Sequence, residues 1–365
     1  NNDTYIILEL LRNNKIIDVK IKRGSIPLPS LDAAYMATPQ IGYIKLNKFS
    51  ETTYIEFMQA MDKLKPMGMK KLILDLRGNG GGVLDAAVNI VDEFLPEEEM
   101  IVYTEGDKVK KKEYKTNKPG VFENGSLVVL EDELSASASE VLAGALQDND
   151  RCTIIGRRSF GKGLVQEQYG LSDGGALRLT VARYYTPLGR CIQKSYSKDR
   201  KLYDDEIIAR IHAGNDSIYS SGKVYKTKKG KLVYDAGGIS PDIYVKLDTS
   251  LFSERTAQLF STSVISDFAY QYYRQNKSIL SKYTDINNFN TLFNFSPDVW
   301  PAFISFAQKD QTTLQNVDVK LQSKILNQIK AFIAKQLWRG NGYFEVLNKE
   351  DAVYEKAIQV ISSMN

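Results

Sequence analysis

Histidine is almost absent. The 365 residues contain one, His212, in the polar stretch from Glu206 to Asn215. That leaves a Ser-His-Asp triad a single candidate base with no motif around it. His212 therefore reads as a solvated surface residue. Cysteine is nearly as scarce. Cys152 and Cys191 are too few for a thiolate metal site or a disulfide framework. Their apolar surroundings make both read as buried free thiols, a disulfide between them being the lesser alternative. No apolar run is long enough to span a membrane, and no signal peptide opens the chain. It starts at Asn1 without methionine and reads as a piece of something longer. Charge of one sign is not in excess either: 48 Lys and Arg face 44 Asp and Glu, a net +4. This is too little to argue for nucleic acid. The densest basic stretch, Lys108 to Lys112 with Lys115, reads as a solvated loop or hairpin. What remains, 43% hydrophobic and 25% charged residues, is ordinary globular composition with room for two or three compact units.

The informative stretch runs from Asp132 to Gln166. A Ser/Ala cluster, Ser135-Ala-Ser-Ala-Ser-Glu140, opens a helical pattern in which Val141, Leu142, Ala145 and Leu146 recur at helical spacing. Free N–H groups at such a helix start can hold an oxyanion, so a serine there is a candidate nucleophile. A base is then needed. Lys162, between Gly161 and Gly163 and close to Phe160, Leu164 and Val165, fits one known solution: a lysine in a dry setting that takes the serine proton. Each residue also has a plain structural reading. Ser137 with Glu140 is a good capping box, Ser135 and Ser139 are helix-entry residues, Gly161-Lys162-Gly163 suits an exposed turn, and Asp148 suits a helix end. The segment Gly156 to Gly163 also nearly spells a phosphate-binding loop. It lacks the Ser/Thr after the lysine, and Leu164-Val-Gln-Glu-Gln-Tyr169 reads as a strand where a helix is required, so that reading fails.

Taken together, Ser135-Ala-Ser-Ala-Ser-Glu140, Gln147-Asp148, Gly156 and Ser159-Phe-Gly-Lys-Gly-Leu-Val-Gln166 resemble the signature of the tail-specific, or C-terminal processing, serine proteases. In that family the nucleophile lies three residues before the glutamate, which implies Ser137. The lysine base lies twenty-five residues on, which implies Lys162. A glutamine four residues further orients the lysine, which implies Gln166. An acidic residue eleven past the serine, supporting in some members, falls on Asp148. Asp75-Leu-Arg-Gly-Asn-Gly-Gly-Gly82 resembles the family's second signature, whose glycines line the site. The resemblance implies an oxyanion hole from the N–H groups of Gly81 and Ala138, with Gly80 a close rival to Gly81. Gly189-Arg-Cys-Ile-Gln193 and Gly237-Gly-Ile-Ser-Pro-Asp242 resemble the third and closing blocks.

The expected architecture is α/β. Residues 1–25 form a hairpin, Thr4 to Arg12 and Ile16 to Lys22, similar to the exit strands of a PDZ domain whose remainder is absent. Residues 26–248 form the catalytic domain, a mixed sheet-and-helix core that the resemblance places near the crotonases and the caseinolytic protease. Residues 249–365 form a helical C-terminal domain, read from the patterns 257–273, 321–338 and 351–364. The implied activity is a serine endopeptidase that cleaves proteins near their C-termini through a Ser-Lys dyad. The alternative is a non-catalytic module that binds peptides or C-termini on the same fold. No metal or organic cofactor is implied. The implied partners are proteins or peptides with extended C-terminal tails, membrane-associated ones included, and no nucleic acid; the helical domain offers a route to oligomers. The resemblance also implies the bacterial periplasm or cell envelope.

Overall fold

The structure, a computed structural model, describes the chain except residues 1–3, 13, 25, 27, 196–199, 214–221, 236, 250–253, 310–316 and 365. Asn13, between the two expected strands, and Ser25, at the end of the expected hairpin region, lie outside the described residues. The first two strands, β1 (Tyr5–Arg12) and β2 (Lys15–Lys22), pair only with each other and are exposed along both faces.

The core is a six-stranded sheet in the order β14-β9-β8-β5-β4-β3. Its strands are β3 (Leu31–Met36), β4 (Ile41–Leu46), β5 (Lys71–Asp75), β8 (Ser126–Glu131), β9 (Thr153–Gly156) and β14 (Ile243–Tyr244). All neighbours are parallel except β3 with β4. Side chains of alternate strand residues point to opposite faces. Leu72 and Leu74 of β5, Leu127 and Val129 of β8 and Ile154 of β9 join a core with helices α1 (Thr53–Leu64), α2 (Leu84–Asp92) and α3 (Ala138–Asp148). Their neighbours Ile73, Val128, Leu130 and Ile155 face the other way. Buried on both faces, these strands read as continuous apolar runs, as parallel strands do.

A second sheet, β10-β11-β6-β7, comprises β6 (Met100–Glu105), β7 (Lys112–Lys115), β10 (Leu164–Gly170) and β11 (Ala176–Tyr185). The basic stretch around Lys108 is the β6–β7 hairpin. Helix α4 (Arg200–Ala213) contains His212, whose side chain lies outside what is described. A small hairpin, β12 (Val224–Lys226) with β13 (Leu232–Tyr234), follows. Both cysteines are free thiols, as expected, but Cys191 is half-buried rather than buried.

The C-terminal region contains α5 (Glu254–Ser261), α6 (Val264–Gln275), α7 (Lys277–Leu280), α8 (Ile286–Leu292), α9 (Val299–Lys309), α10 (Val319–Leu347) and α11 (Ala352–Ser363). Helices α5 to α10 share their own aromatic core, including Phe268, Phe289, Phe293 and Phe303. Helix α11 does not belong to it. Val353, Ala357 and Ile361 cover the second face of the main sheet, against Tyr35, Tyr43, Ile73 and Leu130. The expected helical domain therefore ends before α11, and the last helix completes the sheet domain. Helix α10 kinks at Trp338 and Arg339, which brings Asn341 to edge strand β3. Its side chain accepts from Ala34 N–H (2.8 Å) and donates to Ala34 C=O (3.0 Å). It thereby occupies backbone groups that an open edge would offer to another chain.

Candidate active site

Two βα turns meet at the C-terminal ends of the central strands. The first follows β5. Asp75 is fully buried and accepts from Tyr43 Oη (2.8 Å), Arg77 N (2.9 Å) and the Arg77 guanidinium (2.7 Å). Burial alone would raise its carboxyl, but Arg77 and Lys45 beside it hold it well below the usual carboxylate range. Arg77 Nη1 also donates to both carboxylate oxygens of Asp351 at the start of α11 (2.8 and 2.9 Å). The second turn follows β8 and ends at Ser137.

Asn79 joins the turns. Its main-chain oxygen accepts from Ala136 N (3.0 Å) and Ser139 Oγ (2.8 Å), and its side chain donates to Leu46 C=O (3.1 Å). Ser135 Oγ donates to Leu76 C=O (2.9 Å). Ser135 and Ser139 are thus buried ties between the turns, more than helix-entry residues. Gly81 has φ +91°, and a Cβ there would lie 2.5 Å from Ala136 O and 2.8 Å from Ser137 Cβ and Ala138 N. Only glycine permits this approach.

Ser137, half-buried, has φ +57° and ψ −112° at the apex between strand and helix. This is a costly conformation for a residue with a Cβ, of the kind that concentrates at functional sites. Glu140 is fully buried one turn into α3. Its Oε2 accepts from the N–H groups of both Ser137 and Lys162 (2.8 Å each). Its Oε1 accepts from Ser159 Oγ (2.5 Å) and Gly161 N (2.6 Å). Burial pushes this carboxyl above the ordinary glutamate range, and the four donors pull it part of the way back. The residue read as the second half of a capping box therefore also holds the lysine loop. Gly163 N donates to the buried Gln193 Oε1 (2.9 Å), and Lys194 N donates to Gly161 C=O (2.9 Å).

The main chains of Ser137 and Lys162 are thus brought onto one oxygen atom, but their side chains are not joined. Among the described residues no hydrogen bond links Ser137 Oγ to Lys162 Nζ, or Lys162 to Gln166. Lys162 is exposed, so the expected dry setting is not formed here; Phe160 instead faces Lys194, whose Nζ lies 4.4 Å from its ring centre. Gln166 is exposed on β10, just past a register shift at Val165. Gly81 N–H is already donated to Asn79 Oδ1 (2.9 Å). Gly80 is exposed with open space where a Cβ would stand, and Ala138 opens α3. Asp148 is buried away from the lysine loop. It pairs with the fully buried Arg190 (2.6 Å) and accepts from Leu188 N (3.0 Å), which pins the turn after β11. Among the described residues no cluster of His, Cys, Asp and Glu suits a metal ion.

Sequence reading missed Glu140 as an organiser, Asn79 and Gln193. Asn79 and Gln193 stood within motifs already recognised, but nothing local showed what they bind.

Residues 40–201 match the model of peptidase family S41. This part of the chain resembles the peptidases of that family. The carboxyl-terminal-processing protease of a Picosynechococcus species is 38% identical over 218 residues, covering 56% of this chain and 50% of its own length. The carboxy-terminal-processing protease of Bartonella bacilliformis is 43% identical over 229 residues, covering 61% and 52%. The chain thus spans about half the length of these curated relatives. A solved photosystem II D1 C-terminal processing protease is 28% identical, covering 67% of this chain and 56% of that one, with a TM-score of 0.44. Residues 256–340 match a second model, a family of unknown function. Among the described residues no helix is long and apolar enough to cross a membrane.

Proposed function

We propose that this chain is a serine endopeptidase that processes proteins near their C-termini, with Ser137 as nucleophile and Lys162 as base. The observation that carries the reading is the shared Glu140 oxygen: one carboxylate fixes the strained nucleophile turn and the lysine loop together. With both main chains held, a rotation of the exposed Lys162 side chain closes the dyad.

Ser137 Oγ attacks the peptide carbonyl, and its proton passes to the unprotonated Lys162 amine. The tetrahedral oxyanion is held by the N–H of Ala138 and by the glycine turn. Gly80 suits this better than Gly81, whose N–H already has a partner. Collapse breaks the C–N bond, and Lys162 returns the proton to the leaving amine. Water then hydrolyses the acyl-enzyme, with Lys162 taking its proton and returning it to Ser137. Gln166 positions the lysine once the dyad closes. Asp148 contributes by fixing the Arg190 turn, not by contacting the lysine. The names of the relatives support tailed protein substrates, and a cell-envelope location is consistent with the bacterial ones.

Cleavage of an unfolded protein is the test. Ser137→Ala should abolish it, and so should Lys162→Arg, which keeps the charge but cannot serve as the base. Activity in either variant overturns the dyad. No cleavage by the parent, with saturable peptide binding retained, would favour the non-catalytic binding module.

A further inference from the structure

A cavity of about 790 Å³ lies where the helical region meets the sheet domain. This is within the size of pockets that hold small ligands, and domain junctions are favoured places for them. Phe260 of α5, and Phe344 and Leu347 of α10, form apolar wall. Buried Asn348 and exposed Glu350 add polar groups to the lining. The cations are unevenly matched. Lys320 and Lys324 both reach Asp248 (2.8 and 3.8 Å), and exposed Lys246 has no carboxylate partner among the described residues. Gly78 and Asp132 line the cavity on the other side. Asp132 accepts from Gly78 N (2.9 Å) and Leu134 N (3.1 Å), so the wall is part of the nucleophile's turn.

We propose that this cavity binds the end of an apolar peptide, with its terminal carboxylate held by Lys246 and Lys324. The proposal rests on the peptidase reading of the neighbouring turn. Apolar side chains suit the aromatic wall, main-chain groups suit the polar lining, and a carboxylate answers the lysines. A peptide so bound contacts the turn that holds Ser137, so occupancy bears on catalysis from outside the dyad.

The test measures binding of a fluorescent apolar hexapeptide with a free C-terminus to the Ser137→Ala chain, by fluorescence polarisation. Amidating the peptide's C-terminus should weaken binding about fivefold or more, and Phe260→Arg about tenfold or more. The double variant Lys246→Glu, Lys324→Glu should bind both peptide forms alike. Phe260 is 46% exposed and the lysines lie at the surface, so these variants should keep the parent's melting temperature. Equal binding of free and amidated peptides, or unchanged binding by Phe260→Arg, overturns the proposal. Tighter binding of a long-chain fatty acid than of the peptide also overturns it and makes the cavity a lipid site. Because the readout is binding to an inactive chain, a parent that fails to cleave overturns the peptidase reading alone. Intact cleavage without discrimination at the cavity overturns this inference alone.

Discussion

The nucleophile's turn and the lysine's hairpin are built to different standards. Around Ser137 the groups are buried and tied: Ser135, Ser139 and Asn79 link the two turns, and Glu140 ties Ser137 to the lysine loop. Around Lys162 the main chain is held equally well as far as Gly163, but the side chain is exposed, and β10 beyond it is exposed from Gln166 onward. On the proposed reading, the scaffold fixes Ser137 and leaves the Lys162 side chain to be placed by a movement of its own. A strained residue persists only where its surroundings over-determine it, whereas a base that must become unprotonated gains by closing only when water is excluded.

The sharpest way to break this contrast is at Glu140, which serves both sides. Glu140→Gln keeps the shape but sets an NH₂ against two N–H donors that now lack an acceptor. Each unsatisfied group costs about 1–3 kcal/mol, so stability should fall by several kcal/mol. The turnover number should fall about a hundredfold or more, because positions shift on both sides of the dyad. Denaturant melts with peptide kinetics check this. Turnover within a few-fold of the parent would show that the shared oxygen is not what aligns the site.

The next effect is on stability at the start of the nucleophile's scaffold. Arg77→Ala leaves the fully buried Asp75 with only Lys45 as a cation (3.4 Å) and removes the ion pair that ties Asp351, at the start of α11, to this turn. Breaking a buried pair by removing one partner typically costs about 3–5 kcal/mol. Urea unfolding should show a loss of this size. A loss below about 1 kcal/mol would mean that Lys45 and Tyr43 suffice for Asp75.

These features differ in how far the sequence revealed them. Strands and helices of the sheet domain were legible because period and turn residues are local signals. Ser137 and Lys162 were singled out by the motif spacing of the resembled family, and what the structure adds is that their main chains meet on one carboxylate oxygen. The double duty of Glu140 was not, since a capping box explains Ser137 and Glu140 without mentioning residues 159–162. The apolar stripe Val353, Ala357, Ile361 showed an amphipathic helix but not its partner, so α11 was grouped with its neighbours in the chain rather than with the sheet. The exposure of Lys162 was hidden for the same reason: nearby Phe160 and Val165 promise a dry setting only if they face it.

A smaller effect, read against pH, concerns the charge beneath the nucleophile. Glu131 is fully buried, and among the described residues neither of its oxygens has a hydrogen-bond partner. Burial, and then the nearby carboxylates Glu140, Asp242 and Asp132, push its carboxyl well above the ordinary glutamate range, with Arg190 opposing weakly. A group whose folded value is raised favours folding while it is protonated in both states. That contribution is lost as pH rises from the unfolded value through the folded one. In that window the parent should lose about 1.4 kcal/mol per pH unit relative to Glu131→Gln. Melting temperatures across pH for both chains measure it. Parallel curves would show that Glu131 does not titrate between the two states.

The smallest expected effects separate the serines from one another. Ser135→Ala removes a hydroxyl that donates to Leu76 C=O and accepts from Asp132 N (2.9 Å each). Ser139→Ala removes one donation, to Asn79 C=O. A typical buried hydrogen bond contributes about 1 kcal/mol, and more when its partner is left unsatisfied. Ser135→Ala should therefore cost about 1–2 kcal/mol, and Ser139→Ala about 1 kcal/mol, because Asn79 C=O keeps its bond from Ala136 N. Neither hydroxyl is free to attack a substrate, so both variants should remain active, with Ser135→Ala the slower because it loosens the turn that sets the φ of Ser137. Paired measurements of melting temperature and turnover number decide this. If Ser139→Ala were inactive while fully folded and Ser137→Ala were active, the nucleophile would lie two residues further on, and the contrast between a fixed serine and a mobile lysine would have to be redrawn.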